Sequence, residues 1–314
     1  MQDVQKNRAR SDVDGLETEI SLFIGQDLSR LLPDLSVVIV SYKVRQELRK
    51  CLSGLSCQDN FLEVIIADNN SDDGTLEMLK TTFPQIKLIC NRYNFGFARA
   101  ANQGIAASRG KYVLLLNPDT EVRLSALKEM VNFLDNNQGV GVLGCQIVNS
   151  DGQRQYSARS FPGFRTAVSG HYSLLNRIFP RNPWSKKYLG KELNLDKPTE
   201  ADWVSGSCML VRREVFRKIG YMDNKFFMFV EDVDFCWRAK SAGWKVLYYP
   251  PVKIVHNASQ SVRQKKIKML AEHHKSMYYY YLKYYGSTKL TKFLVFLGIW
   301  LRLGTVTLGH WLKN

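Results

Sequence analysis

The sequence predicts an α/β fold, a mostly parallel sheet with flanking helices, and three observations carry that expectation. The first is the β-branched run Ser36-Val37-Val38-Ile39-Val40, the pattern of a strand buried on both faces. The second is alternation: further apolar runs at 62–67, 86–90 and 112–116 are separated by helical stretches at 44–55, 75–82 and 102–108. The third is bulk: 314 residues, 45% hydrophobic and 23% charged, suffice for a sizeable core and exclude wholesale disorder. Strands alternating with helices at this spacing imply right-handed crossovers. Ligands of such sheets collect at the carboxyl ends of the strands. That rule selects Ser41-Tyr42, Asp68-Asn69-Asn70, the 91–94 segment and Asn117-Pro118-Asp119.

The elements outside this alternation divide the chain into three parts. Residues 1–34 are polar and turn amphipathic near Leu16, Ile20, Phe23, Ile24 and Leu28, which predicts an N-terminal helical extension ended by Pro33. Residues 35–260 form the main domain. Within it the alternation loosens after Gly144, and 151–200, rich in Arg, Pro, Tyr and Ser, reads as a long loop region serving as a lid or acceptor-binding insertion. Order resumes at 202–211, with a helix over 230–242 and a strand over 245–249. Residues 261–314 predict a C-terminal region of basic, aromatic helices.

Charge is distributed unevenly. Residues 1–150 carry 16 Lys+Arg against 18 Asp+Glu, whereas 151–314 carry 28 against 11, so the whole excess of +15 lies in the second half. Such asymmetry points to an anionic partner: phospholipid, a lipid-linked phosphate or nucleic acid. No helix-turn-helix, zinc-finger or RRM signature accompanies the charge, which disfavours nucleic acid. The six cysteines are scattered without a CxxC pair, which suits buried thiols in a reducing compartment and disfavours a zinc site. The polar start lacks the apolar core of a signal peptide, so the chain is expected on the cytoplasmic side.

Four segments carry candidate chemistry. Asp68, at a strand end, suits acceptance of a pyrimidine imide N–H; the same segment also reads as a turn with Ser71 or Asp72 capping the next helix. Asp119, after Asn117-Pro118, offers a hard oxygen ligand for Mg²⁺ or Mn²⁺ bridging two phosphates, or else a helix cap. In Phe226-Phe227-Met228-Phe229-Val230-Glu231-Asp232-Val233-Asp234, three carboxylates emerge from an aromatic run at a helix start, with Asp234 and Arg238 spaced to pair. A carboxylate held against aromatic walls suits proton removal from a hydroxyl. His256 follows a short apolar strand, as a structural histidine or as a ligand.

Taken in order, Val37–Tyr42 (37–42), the Asp68–Thr75 segment (68–75), Asn94-Phe95-Gly96-Phe97-Ala98 with Asn102 and Gly104, and Leu116-Asn117-Pro118-Asp119-Thr120 are followed by the 203–212 and 231–238 segments. This order resembles family 2 glycosyltransferases of the GT-A fold, in particular the bacterial rhamnosyltransferase-like branch. The resemblance spans about 35–260. It implies that Asp68 reads the nucleotide base beside Ser41 and Tyr42, with Asn94, Gly96, Asn102 and Asn117 along the donor. It implies a divalent metal at Asp119, with His256 completing the site, and Asp232 as catalytic base. Trp203, Ser205, Gly206 and Glu231 would border the acceptor. Asn117 stands where the family's metal triplet begins with a carboxylate, so this metal site has fewer acidic ligands. The implied reaction is inverting transfer of a sugar, L-rhamnose from dTDP-rhamnose before a UDP-hexose, to a glycan or polyprenyl-diphosphate-linked acceptor. A sugar-phosphate nucleotidyltransferase is disfavoured because Ser41-Tyr42-Lys43-Val44 lacks a Gly-rich loop.

The tail combines six tyrosines between Tyr278 and Tyr285 with an apolar run from Phe293, interrupted by Arg302. A charge there disfavours a membrane span. The expectation is an amphipathic helix lying peripherally on the inner face of the plasma membrane. The same pattern suits a helix packed on the main domain or at a homodimer interface.

Overall fold

A computed structural model describes residues 32–55, 61–163, 196–257, 266–286 and 288–311, with backbone alone at 266, 267, 302 and 305–311. The expected helix near residues 16–28 and most of the expected loop insertion lie outside the described residues. The core is a sheet that begins with β1 (Leu35–Ser41), β2 (Leu62–Asp68), β3 (Lys87–Cys90) and β4 (Tyr112–Leu116). These four pair in parallel in the order β3-β2-β1-β4. Three helices connect them: α1 (Arg45–Ser53), α2 (Thr75–Thr82) and α3 (Phe97–Ala107).

The apolar runs are continuous because both sheet faces are covered. Val38, Ile65, Val113 and Leu115 pack toward Ala98, Ala101 and Ile105 of α3. Val37, Ile39, Ile66 and Leu114 point the other way, onto Leu48 and Leu52 of α1. Each such fully buried aliphatic side chain contributes ~1.5–3 kcal/mol by leaving water. Gly104 lets α3 approach closely, since a Cβ there would lie 2.4 Å from Val38 Cγ1.

Beyond β4 come the short β5 (Thr120–Glu121), α4 (Leu124–Asp135) and β6 (Val140–Val148). β6 runs through Gly144, where the sequence pattern loosens, and turns into β7 (Arg154–Gln155) as an antiparallel pair. β8 (Ala158–Arg159), β9 (Thr199–Glu200) and β10 (Trp203–Val204) precede β11 (Cys208–Arg212), which inserts antiparallel between β4 and β6. α5 (Arg213–Ile219) and α6 (Glu231–Ser241) lead to β12 (Lys245–His256). The expected strand at 245–249 is the first half of β12; the Pro250-Pro251 step carries a register shift between Tyr249 and Lys253, and pairing with β6 resumes through Val255. That continuation sets His256 opposite Thr120 of β5.

Two helices close the chain, α7 (Lys266–Tyr284) and α8 (Lys289–Trp311). α7 packs on the main domain: Trp237 of α6 meets Tyr284 at 4.7 Å between ring centroids and Tyr280 at 6.3 Å. Among the described residues no helix is long and apolar enough to cross a membrane. Cys51, Cys145, Cys208 and Cys236 are buried free thiols; Cys90, expected buried, is exposed at the end of the sheet's edge strand.

Candidate active site

A cleft of about 610 Å³ opens over the carboxyl ends of β1 and β4 and receives all but three of the residues the sequence singles out. The residues expected to meet the donor and its metal, Tyr42, Asn94, Gly96, Asn117, Asp119 and His256, line it and are called here its donor-side wall. Those expected at the acceptor, Trp203, Ser205, Gly206, Glu231 and Asp232, line it too and are called its acceptor-side wall.

Ser41, Asp68 and Asn102, expected along the donor, are not among the residues that line this cleft. Asp68 is fully buried, and its carboxylate accepts from the Ser71 N–H (2.8 Å) and the Ser71 hydroxyl (2.6 Å). Ser71 Oγ in turn accepts from the Lys43 N–H at 2.9 Å. The pair therefore shapes the loop after β1, and Ser71 is committed to it instead of capping α2. The N-cap of α2 is Gly74 in the left-handed region (φ +80°), with Asp73 accepting from the Thr75 N–H and hydroxyl. Ser41, opposite Asp68 in register, is equally buried. Asn102 donates to the Met222 carbonyl and accepts from the Met222 N–H, and it also donates to Asn224 Oδ1, so it fastens the 222–224 loop.

Where the donor and acceptor walls touch, Gly96 sits at φ +82° and the Phe97 N–H donates to the Phe227 carbonyl at 2.7 Å. A Cβ at Gly96 would lie 2.2 Å from that carbonyl oxygen, so glycine is required there. Asn94 Oδ1 accepts from the Gly96 N–H at 2.9 Å and sets the turn.

Asp119 and His256 form the candidate metal pair. Gln155 fixes the imidazole: its Nε2 donates to Asn149 Oδ1 (2.6 Å) and to the His256 carbonyl (2.9 Å), which turns Oε1 to His256 Nδ1 at 3.0 Å. With Nδ1 donating to Gln155, Nε2 faces the Asn117 amide at 3.3 Å and Asp119 Oδ1 at 3.1 Å. Asp119 Oδ1 is buried and has no hydrogen-bond donor. Two lone pairs that converge at this distance suit a shared cation. Among the described residues no group of three or more His, Cys, Asp or Glu gathers as a metal site; a cation at this pair would take two such ligands from the protein and its remaining ones from water and phosphate oxygens. Asp119 is not a helix cap; α4 starts at Leu124. A second cavity, about 660 Å³, opens beside the same pair and is lined by Glu47, Glu121 and Asp151, without Asp232.

Asp232 is placed by strained backbone. Phe229 and Val230 both hold left-handed φ (70° and 71°), which costs ~1–3 kcal/mol each and is least tolerated by a β-branched residue. Val230 is then the N-cap of α6, putting Glu231 and Asp232 in the first turn, where the helix dipole favours anions. Asp232 accepts from the Gly206 N–H (2.9 Å) and its neighbour Val233 N–H (2.8 Å). Burial raises its pKa above the usual carboxylate range, against the pull of these N–H groups and of Arg159. Burial and then the Asp232 charge push Glu231 well above it, and Glu231 Oε2 has no donor. Such environments suit a carboxylate that takes a proton from a hydroxyl.

Asp234, fully buried, makes the expected i,i+4 pair with Arg238 Nε (2.9 Å) and also accepts from Lys283 Nζ (2.6 Å) and the Tyr284 hydroxyl (2.8 Å) of α7. Lys283 reaches Asp223 as well, at 2.7 Å, and Ser276 donates to the Met228 carbonyl. α7 is thereby clasped over the strained loop and supplies Lys268, Met269, His273 and Met277 to the cleft. A division at residue 260 thus separates the site from part of its own wall. These four residues, with Arg159 and Gln155, are what sequence reading missed. Gln155 reaches His256 only through the β6–β7 hairpin, and no local pattern marks it.

Residues 36–220 match the family model described as Glycosyl transferase family 2. An N-acetylglucosaminyl-diphospho-decaprenol L-rhamnosyltransferase of Mycobacterium tuberculosis is 33% identical over 258 residues, 78% of this chain and 82% of that protein. A rhamnosyltransferase of Escherichia coli K12 is 26% identical over 78% of this chain and 91% of its own. Among solved structures, a Pyrobaculum calidifontis mannosyltransferase in complex with GDP-Man and Mn²⁺ superposes with a TM-score of 0.56 at 16% identity, covering 88% of this chain and 75% of that one. The last likeness bears on the fold alone.

Proposed function

The chain belongs to glycosyl transferase family 2 and is a glycosyltransferase, and on that premise we propose that it is an inverting enzyme moving L-rhamnose from dTDP-rhamnose to a hydroxyl of a lipid-diphosphate-linked glycan in cell-surface polysaccharide synthesis. The observation that carries the chemistry is Asp232, a half-buried carboxylate of raised pKa, held by the Gly206 N–H in the same cleft as the Asp119–His256 pair. The sugar follows the names of the two rhamnosyltransferase relatives, and the lipid-diphosphate acceptor follows the name of the Mycobacterium tuberculosis protein.

In this reading Asp232 removes the acceptor hydroxyl proton as that oxygen attacks the anomeric carbon. The new C–O bond forms on the face opposite the diphosphate, the bond from the anomeric carbon to the phosphate oxygen breaks, and the proton remains on Asp232. Asp119 and His256 would hold Mg²⁺ or Mn²⁺ together with donor phosphate oxygens. The cation, when bound, offsets the negative charge of the diphosphate. Gln155 keeps the His256 Nε2 lone pair turned toward Asp119, and Asn94 with Gly96 shapes the donor wall.

Peripheral attachment to the inner face of the plasma membrane fits the tail. Leu290, Phe293, Leu294, Leu297 and Leu301 of α8 are all exposed and recur at helical spacing, with Lys289 and Lys292 beside them. Such a stripe suits the headgroup–acyl boundary of an anionic leaflet. The competing occupant is a second copy of the chain. Flotation with phosphatidylglycerol vesicles separates the two: retention of the full chain on vesicles, lost in Phe293→Glu/Leu297→Glu, supports the membrane, and a stable dimer that ignores vesicles rejects it.

The donor assignment is tested by transfer assays and thermal melts with dTDP-rhamnose and UDP-glucose, each with and without Mn²⁺ or Mg²⁺. Stabilisation and turnover confined to dTDP-rhamnose plus metal are expected. Turnover with UDP-glucose alone would replace rhamnose by a hexose.

A further inference from the structure

Inverting transfer separates two charges within one cleft. The donor diphosphate leaves from the face opposite the attacking hydroxyl, so it belongs with Asp119 and His256. An acceptor that carries its own diphosphate must place it on the Asp232 side, where the Asp232 carboxylate would repel it. Entry of such an acceptor therefore requires cations on that side of the cleft.

The cleft supplies two. Arg159 lies in β8, opposite Trp203 of β10 in register, with its guanidinium 5.5 Å from the Trp203 ring. Its Nε donates to the Tyr156 carbonyl at 2.9 Å, which orients the fork and leaves both terminal amino groups for a ligand. Lys268 lies near the start of α7, which is clasped over the 226–230 loop through Ser276 and Lys283. Both residues line the cleft, and neither makes a salt bridge among the described residues. By contrast, Lys43 on the donor-side wall is taken by Asp72 at 2.7 Å. Apolar side chains line the same cleft: Phe229, Met269, Met277 and Pro162. A site that combines unpaired cations with an apolar border suits a diphosphate bearing a hydrocarbon chain better than a free sugar phosphate.

We propose that Arg159 and Lys268 form an anion subsite on the acceptor-side wall that takes the diphosphate of a prenyl-linked acceptor. The proposal rests on the transferase reading above and deepens it. Lys268 contributes a point charge at the exposed rim, and Arg159 a directed fork beside the reacting hydroxyl.

The test is titration of the full chain with farnesyl diphosphate, and with farnesol as the uncharged control, while dTDP and Mg²⁺ fill the donor end. The parent chain is expected to bind farnesyl diphosphate, with Lys268→Gln and Arg159→Gln each weakening it about tenfold and leaving farnesol unchanged. Lys268 is exposed and makes no contact that folding needs, so K268Q keeps the test valid if R159Q disturbs the β8–β10 pair. Arg159→Lys, which keeps the charge, should recover part of the loss. Three results would overturn the proposal: no binding by the parent chain, undiminished binding by both Gln variants, or loss confined to Asp119→Asn. Phosphatidylglycerol vesicles supply the other source of phosphate, and vesicle binding that falls in K268Q while farnesyl diphosphate binding does not would reassign Lys268 to headgroups. Because the titration involves no transfer, its outcome is independent of which sugar is moved; a failed dTDP-rhamnose assay would remove the donor assignment and leave this result standing.

Discussion

The two walls of the cleft are built by different means. The donor-side wall rises mainly from the neighbouring parallel strands β1 and β4, backed by the Asp68–Ser71–Lys43 chain of hydrogen bonds, and takes only His256, fixed by Gln155, from a distant part of the chain. The acceptor-side wall is gathered from segments distant in sequence: Gly206 onto Asp232, Ser276 onto Met228, Lys283 onto both Asp223 and Asp234. It also contains the two left-handed residues Phe229 and Val230. The donor wall follows from regular α/β construction. The acceptor wall stores strain, and buried ion pairs hold that strain in place. The strain lies where a carboxylate must be presented to a hydroxyl, and the clasp that holds it comes from outside the family match, which ends at residue 220.

The largest expected effect on stability comes from removing the clasp. Asp234→Ala leaves Arg238 and Lys283 without their buried partner and should destabilise the fold by about 3–5 kcal/mol, read by urea unfolding. A loss under about 1 kcal/mol would mean that the acceptor wall stands without the clasp. Next is Gly96→Ala, at the seam of the walls, which meets the Phe227 carbonyl at left-handed φ and should cost about 2–3 kcal/mol. An unchanged melting temperature would show that the walls are not locked to one another there.

The pH dependence sharpens the same comparison. Burial raises Asp232, and the base acts only when ionised, so kcat/KM should fall with decreasing pH through a point above the usual carboxylate range. Activity that holds constant down through that range would contradict the assigned base. The smallest effect is expected at Glu231. Its folded pKa lies above its unfolded one, so the stability its proton contributes is complete below the unfolded value and is lost as pH rises through the folded value. Glu231→Gln should therefore raise the melting temperature by roughly 1–2 °C above that window and leave it unchanged near pH 4. Equal shifts at both pH values would assign the effect to packing.

Legibility followed distance along the chain and not the division between the walls. The four parallel strands, α2 and the strand-end location of Asp119 were readable because continuous apolar runs and short connections are local signals. The 231–238 helix and its Asp234–Arg238 pair were readable for the same reason. The antiparallel insertion of β11 was not, because strand order arises from pairing across the chain. The β6–β7 hairpin that carries Gln155 to His256 escaped notice, since two-residue strands leave no periodicity. At Asp68 the strand-end position was readable, whereas the hydrogen bonds from Ser71, three residues on, to both of its oxygens were not. The tail's tyrosines suited either a membrane face or packing on the main domain; Tyr284 of α7 packs against Trp237 and Asp234, and the exposed apolar stripe belongs to α8.

The division of labour between the walls is tested most directly by measuring donor affinity and single-turnover rate side by side for Asp119→Asn and Asp232→Asn, with dTDP-rhamnose and Mn²⁺. Asp232→Asn should retain the parent affinity and lose ~10²–10⁴-fold in rate, while Asp119→Asn should lose affinity for the donor itself. An Asp232→Asn enzyme that turns over at the parent rate would contradict the account.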